Sequence, residues 1–222
     1  MKQENDWCTR VFFNETIHVI HDEIARLQKG KVTLVDAGSG EGSPLFQLKT
    51  ELGDKIQFAF GLDIAKEGVR QAARDYPDII WVTADLANCP LQSSKIDVIL
   101  NFLSPASYDE FARLLNQDGI LIKVVPETDY LKEVRQFFYQ GTERSAYSNE
   151  KVTDRFREHF DVLNEQRVTV KKQLSKQELL DLIEMTPLGF DISEQKKQAF
   201  LEAEITEITI DHRVIIGRKK PQ

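Results

Sequence analysis

Leu34-Val35-Asp36-Ala37-Gly38-Ser39-Gly40-Glu41-Gly42 is an apolar run that ends in an acid and opens onto three alternating glycines. Val32 to Asp36 suits a buried parallel strand. The glycines let the backbone take positive φ and pass close beneath a ligand before a helix around Leu45 to Leu52. The spacing is not Gly-x-Gly-x-x-Gly, so the pyrophosphate of a dinucleotide is not its natural guest. The Gly-Lys-Ser/Thr ending of a triphosphate-binding loop is missing as well. Taken alone, the glycines describe a tight strand-to-helix turn and nothing more.

The elements beyond the turn give it a ligand. Ile56 to Asp63 reads as a second strand, Lys66 to Tyr76 as a helix with Val69, Ala72, Ala73 and Tyr76 inward, and Ile79 to Ala84 as a third strand. Ile96 to Asn101, a helix over Asp109 to Leu115, and Ile120 to Val125 continue the alternation. Such βαβ alternation predicts an α/β fold, a mainly parallel sheet with helices on both faces. Acids recur at consecutive strand ends: Asp36, then Asp63 in Gly61-Leu62-Asp63-Ile64, then Asp85 in Thr83-Ala84-Asp85. Asp63, about twenty residues past the glycine turn, is placed to accept hydrogen bonds from both ribose hydroxyls of an adenosyl group. Asp85 is placed to accept from an adenine amino group. Ligands of open α/β sheets sit at the carboxyl ends of strands, where all three acids fall.

This order resembles the class I S-adenosylmethionine-dependent methyltransferases, over roughly Val32 to Val125. The resemblance implies a Rossmann-like sheet of seven strands, with S-adenosyl-L-methionine as cofactor. The loop Asp36, Gly38, Ser39, Gly40 would bend around the methionine part, Asp63 hold the ribose and Asp85 contact the adenine. Pro44, Leu45, Ile64, Ala84 and Asn101 are expected to flank the same cofactor. A narrower resemblance is to the bacterial 23S rRNA guanine-N1 methyltransferases of the RlmA type. It is carried by Gly61 to Pro77, by Ser104-Pro105, by Pro126 with Leu131 and Glu133, and by Leu182-Ile183-Glu184-Met185-Thr186-Pro187. The last of these lies outside the common cofactor fold and discriminates best. The resemblance implies methyl transfer to N1 of a guanine in 23S ribosomal RNA, with ribosomal RNA as partner. A small-molecule or protein methyltransferase, or a non-catalytic cofactor-binding module, would share only the cofactor domain. Tyr130 stands where that family carries a histidine, and His18 lies near the place of its cofactor-side tyrosines, so the resemblance implies that both bind the cofactor. The family's zinc ribbon with CxxC ligands has no counterpart here: Cys8 and Cys89 form no such pair, so no metal is expected.

Residues 1–30 are expected to form an N-terminal helical segment, on the stripe Phe13, Ile17, Ile20, Ile24, Leu27, with Gly30 ending the helix. Residues 31–222 form the methyltransferase domain, with a cofactor half over about 31–126 and substrate-side elements over about 127–222. In the latter, Tyr130 to Tyr139 and Glu194 to Ala203 read as helices, Gly141 to Asn149 as a loop, and Ser175 with Glu178 as a capping box. Arg167 to Leu174, Ile205 to Ile210 and Arg213 to Gly217 suit strands.

With 222 residues, 41% hydrophobic and 29% charged, the chain reads as one ordinary globular protein. No apolar run approaches a membrane span, and Met1 to Asp6 is polar, so a cytoplasmic location is expected. A homodimer is compatible with this reading. The net charge of −7 argues against non-specific nucleic-acid binding but not against a local basic patch. Arg10, Arg135, Arg144, Arg155, Arg157, Lys171, Lys172, Arg218, Lys219 and Lys220 are the candidates for such a path. A guanine N1 must lose its proton, and Glu41, Glu127 and Asp129 are conceivable bases, though none is assigned.

Overall fold

A computed structural model of the chain describes residues 12–142, 145–189 and 192–220. Cys8, Arg10 and Arg144 lie outside the described residues. The elements run α1 (Asn14–Leu27), β1 (Val32–Ala37), α2 (Ser43–Leu52), β2 (Ile56–Asp63), α3 (Lys66–Asp75), β3 (Ile80–Thr83) and β4 (Ile96–Phe102). Then come α4 (Tyr108–Leu114), β5 (Leu115–Pro126), α5 (Lys132–Tyr139), α6 (Glu150–His159), β6 (Phe160–Gln173), α7 (Lys176–Met185), α8 (Glu194–Glu202) and β7 (Glu207–Lys219).

The strands form one seven-stranded sheet in the order β3-β2-β1-β4-β5-β7-β6. The pairs β2–β3, β1–β2, β1–β4 and β4–β5 are parallel. The chain winds outward from β1 to β3, then returns to lay β4 on the other side of β1. Open α/β sheets take their ligands at such a reversal, which here lies at the carboxyl ends of β1 and β4. Both central strands bury aliphatic side chains on each face, Leu34 and Val35 in β1 and Val98 and Ile99 in β4, as strands sandwiched between helices must.

Two compact units divide the chain. The first takes in the described residues up to Val125, Glu150–Gln166 and the chain from Arg213 on; the second is Pro126–Asn149 with Arg167–His212. This differs from a simple cut near residue 126. α6 and the halves of β6 and β7 on either side of it belong with the sheet, where Phe156 and Phe160 pack so closely on Gly217 that a Cβ there would meet them at 2.7–3.0 Å. α1 also belongs to the first unit: Ile17, Ile20 and Ile24 are fully buried. It ends at Leu27, with Gln28 already extended, three residues before Gly30. In α3, Ala73 faces solvent, because the buried stripe runs Val69, Ala72, Tyr76 and a short helix buries only one narrow face.

In the second unit, the capping box at the start of α7 forms reciprocally. The Glu178 amide donates to Ser175 Oγ at 3.3 Å and the Ser175 amide to the Glu178 carboxylate at 2.6 Å. Asp211, fully buried, accepts from Arg167 and Thr169, which hold its carboxyl below the usual range despite burial. Glu207–Ile210 and Arg213–Gly217 fall within the single strand β7, which starts two residues after Ile205.

Candidate active site

The turn after β1 is drawn down onto β2. The amides of Gly38 and Ser39 both donate to the Leu62 carbonyl, at 2.8 and 3.0 Å. Gly38 and Gly42 take φ of +86°, where an L side chain is strained. They also have no room for one: a Cβ on Gly38 would lie 1.8 Å from Ser104 Oγ, and one on Gly42 2.1 Å from the Trp81 ring. Gly40 is different, with nothing within 4 Å of its Cβ position, so the loop leaves an open cradle there. Gly42 caps α2, whose first turn carries Pro44, and the Glu41 carboxylate accepts from the Ser43 amide and hydroxyl. Glu41 is therefore spent on the helix start.

The three strand-end acids are in three different states. Asp63 accepts from the Gly40 amide through one oxygen and from the Ala65 amide through the other, each at 2.8 Å. It thereby ties the glycine loop to the end of β2. Asp85 lies in an exposed turn, its Oδ1 accepting from the Ala87 amide at 2.9 Å, and the Ala84 amide donates to the Asp63 carbonyl at 3.0 Å. Asp36 is 1% exposed, and its Oδ1 has no hydrogen-bond partner among the described residues. Burial, with repulsion from Asp63 and Glu41, pushes its pKa up to about 8. Ser39 Oγ is also buried without a partner among the described residues. Ile64 beside Asp63 is 71% exposed, an unusual position for an isoleucine and one that offers an apolar face.

A residue absent from the candidates named on sequence secures the other wall. Lys123 is buried on β5 opposite Asn101 and donates to Asn101 Oδ1 and to the Ser104 carbonyl. Burial lowers its pKa to about 8. Asn101 Nδ2 donates to the Ala37 and Pro105 carbonyls, at 2.6 and 3.0 Å. Asn101 is thus a clip between β1 and the 103–106 loop, with both ends of its amide spent. Phe13 stacks edge-on against Phe102, ring centroids 4.9 Å apart. The lysine interrupting Ile120-Leu121-Ile122 and Val124-Val125 was the available signal.

The remaining expected site residues have the following surroundings. His18 faces Glu51 at 3.8 Å. That is eight residues along α2 from its start at the glycine turn, about 12 Å away at ~1.5 Å per residue. Leu45 is fully buried in the core. Tyr130 belongs to the second unit, its ring 5.1 Å from that of His212. Of the conceivable bases, Glu127 and Asp129 are also in that unit, where Asp129 lies 3.5 Å from Lys132.

A cationic, hydrogen-bonding ligand fits the donor set at the turn: an orphaned buried carboxyl oxygen, an orphaned hydroxyl and an open glycine cradle. With a strand-end carboxylate one strand over, these suit the ammonium and ribose of S-adenosylmethionine. Comparison with known proteins agrees. Residues 35–123 match the family model for a methyltransferase domain. The solved "Putative Type II Methyltransferase" from Anaeromyxobacter dehalogenans shares the fold, with a TM-score of 0.63 over 92% of this chain and 97% of that one, at 15% identity. Fold and site define a class I S-adenosylmethionine-dependent methyltransferase.

The chain is 37% identical over 207 residues to the Bacillus subtilis "Putative 23S rRNA (guanine-N(1)-)-methyltransferase YxjB", spanning 90% of this chain and 73% of that one. It is 27% identical over 192 residues to the Streptomyces fradiae "23S rRNA (guanine(748)-N(1))-methyltransferase", spanning 85% and 67%. The chain belongs to the family of 23S rRNA guanine-N1 methyltransferases.

Proposed function

We propose that this methyltransferase acts on N1 of a guanine in 23S ribosomal RNA, in the cytoplasm where that RNA resides. The substrate rests on the 37% identity to the Bacillus subtilis relative, and the cofactor contacts on the orphaned carboxyl of Asp36 at the glycine turn. When bound, the cofactor supplies a methyl group already activated on a sulfonium. The protein's part is then to orient and to keep the site dry. Asp36 and Ser39 receive the ammonium of the methionine part. Asp63 spends one lone pair of each oxygen on backbone amides and keeps others for the ribose hydroxyls. Asp85 accepts from the adenine amino group, and Ile64 covers the adenine face. Asn101 acts behind this wall, holding the 103–106 loop against the turn.

The test is methyl transfer in vitro to 23S RNA from cells lacking the modification. A methyl on N1 blocks the Watson–Crick edge, so reverse transcriptase should stop beside the modified guanine. Incorporation without such a stop, or transfer only to metabolites or protein, would refute the substrate.

A further inference from the structure

At the other end of the strands, by the amino-terminal ends of β4 and β5, lies a hollow of about 710 Å³. One side is Arg218, Lys219 and Lys220, at and just past the end of β7; the other is Ser94, ahead of β4, and Asn116, Gln117 and Asp118 at the start of β5. In this acidic chain several arginines are neutralised: Arg26, Arg70, Arg113, Arg157 and Arg213 each grip a glutamate. The three cations of the hollow grip no carboxylate among the described residues. Lys219 Nζ donates to the Leu115 carbonyl and Lys220 Nζ to the Glu158 carbonyl, each at 2.9 Å. Arg218 Nε is buried with no acceptor among the described residues. Neutral carbonyls position these side chains without cancelling their charge.

We infer that this hollow is a second contact for the RNA backbone, binding phosphates remote from the target base. Three consecutive cations beside the Ser94 hydroxyl and Gln117 amide are phosphate chemistry. Asn116 is spent inside the protein, on Asp97 Oδ1 and the Asp118 amide. One carboxylate, Asp118, shares the lining and weakens the site. β4 alone, Ile96–Phe102, separates the hollow from the crevice by roughly 20 Å at ~3.3 Å per residue. An extended polyanion reaches both; a short stem-loop carrying the target guanine reaches only the crevice. The inference rests on the RNA substrate proposed above.

The test measures equilibrium binding of a long 23S RNA fragment between 50 and 200 mM salt, for the parent, R218Q/K220Q and D118N. Lys219 is kept because it holds β5. Removing two phosphate contacts should cut the slope of log affinity against log salt by about 1.4–1.8, so the fourfold salt increase costs the variant about 7- to 12-fold less affinity. D118N should bind tighter than the parent, a gain that misfolding cannot produce. Cofactor affinity and turnover on a short stem-loop should be unchanged in both. Parent-like affinity and slope in R218Q/K220Q, or no gain in D118N, overturns the inference, as does a parent that binds no RNA. Failure of methyl transfer by a parent that binds RNA through these residues would instead count against the proposed target.

Discussion

Asp36→Asn isolates the acid at the base of the glycine turn. In the parent its pKa is about 8, so at pH 7 about one molecule in ten is ionised, and forcing ionisation costs about 1.4 kcal/mol. The cofactor's ammonium favours the ionised form. Cofactor affinity should therefore rise nearly tenfold from pH 6 to 7, level towards pH 8, and fall beyond as the ammonium loses its own proton, ordinarily near 7.7–8.0. Asparagine keeps the shape and removes the charge. The rise should vanish, and affinity near pH 8 should drop by about 10-fold or more, the worth of one charge-assisted hydrogen bond of roughly 1.5–3 kcal/mol. Calorimetric titration with S-adenosylmethionine and S-adenosylhomocysteine, both of which carry the ammonium, reads this directly. The ligand-free protein gives a second signature. Its folded pKa lies above the ordinary 3.8, so between about pH 4 and 8 the folded chain keeps a proton the unfolded chain has lost. Over that window this group lowers stability by about 1.4 kcal/mol per pH unit, and asparagine removes the decline. The variant should melt above the parent at pH 8 and close to it at pH 4. A parent whose cofactor affinity is flat from pH 6 to 8, or a variant with the parent's slope, would refute the pairing.

Asp63→Ala releases two backbone amides as well as the ribose contact, so cofactor affinity should fall more than tenfold by calorimetry and the melting temperature should drop too. Gly42→Ala combines positive φ with a Cβ driven into Trp81, and should cost about 2–5 kcal/mol in denaturant unfolding. Gly40→Ala meets no neighbour, so its unfolding cost should be smaller while cofactor affinity suffers. Lys123→Met strands Asn101 Oδ1 and the Ser104 carbonyl, destabilising by about 1–3 kcal/mol for each. Because the folded Lys123 pKa is lowered to about 8, the parent gains stability between about pH 8 and 10.5, and melts of the variant should lack that gain. Ser175→Ala should cost about 1 kcal/mol in the second unit and leave cofactor affinity unchanged.

The glycine turn was legible because its signal is local: Asp36 to Gly42 states the sharp bend within seven residues, and the acids of the next two strand ends gave it a candidate ligand. The parallel, helix-flanked sheet followed from alternation, whereas the strand order did not. α6 carried a weaker signal, since only Thr153 and Phe156 of its ten residues are buried, and Gly217, against which Phe156 packs, lies some sixty residues on. Trp81 over Gly42 and Gly61 is a long-range fit of the same kind. It makes two glycines obligatory for reasons no local pattern states. His18 was placed by loose alignment, and the helix pairing that turns it to Glu51 depends on the packing of α1 against α2.

The three strand-end acids mark the boundary of what residue types can say. In the sequence Asp36, Asp63 and Asp85 look alike, each closing an apolar run. In the fold, one is buried and mostly protonated at neutral pH, one is bound to two amides, and one sits in an exposed turn. Their order along the chain follows their order across the sheet, so sequence locates the crevice. Their charge does not follow from sequence, because desolvation depends on what covers each carboxyl, and that cover comes from distant elements. Asp36 is the extreme case. Its burial is an unfavourable local choice that a packed core would not retain without a partner, and a cationic ligand is the kind of partner that turns that cost into selectivity.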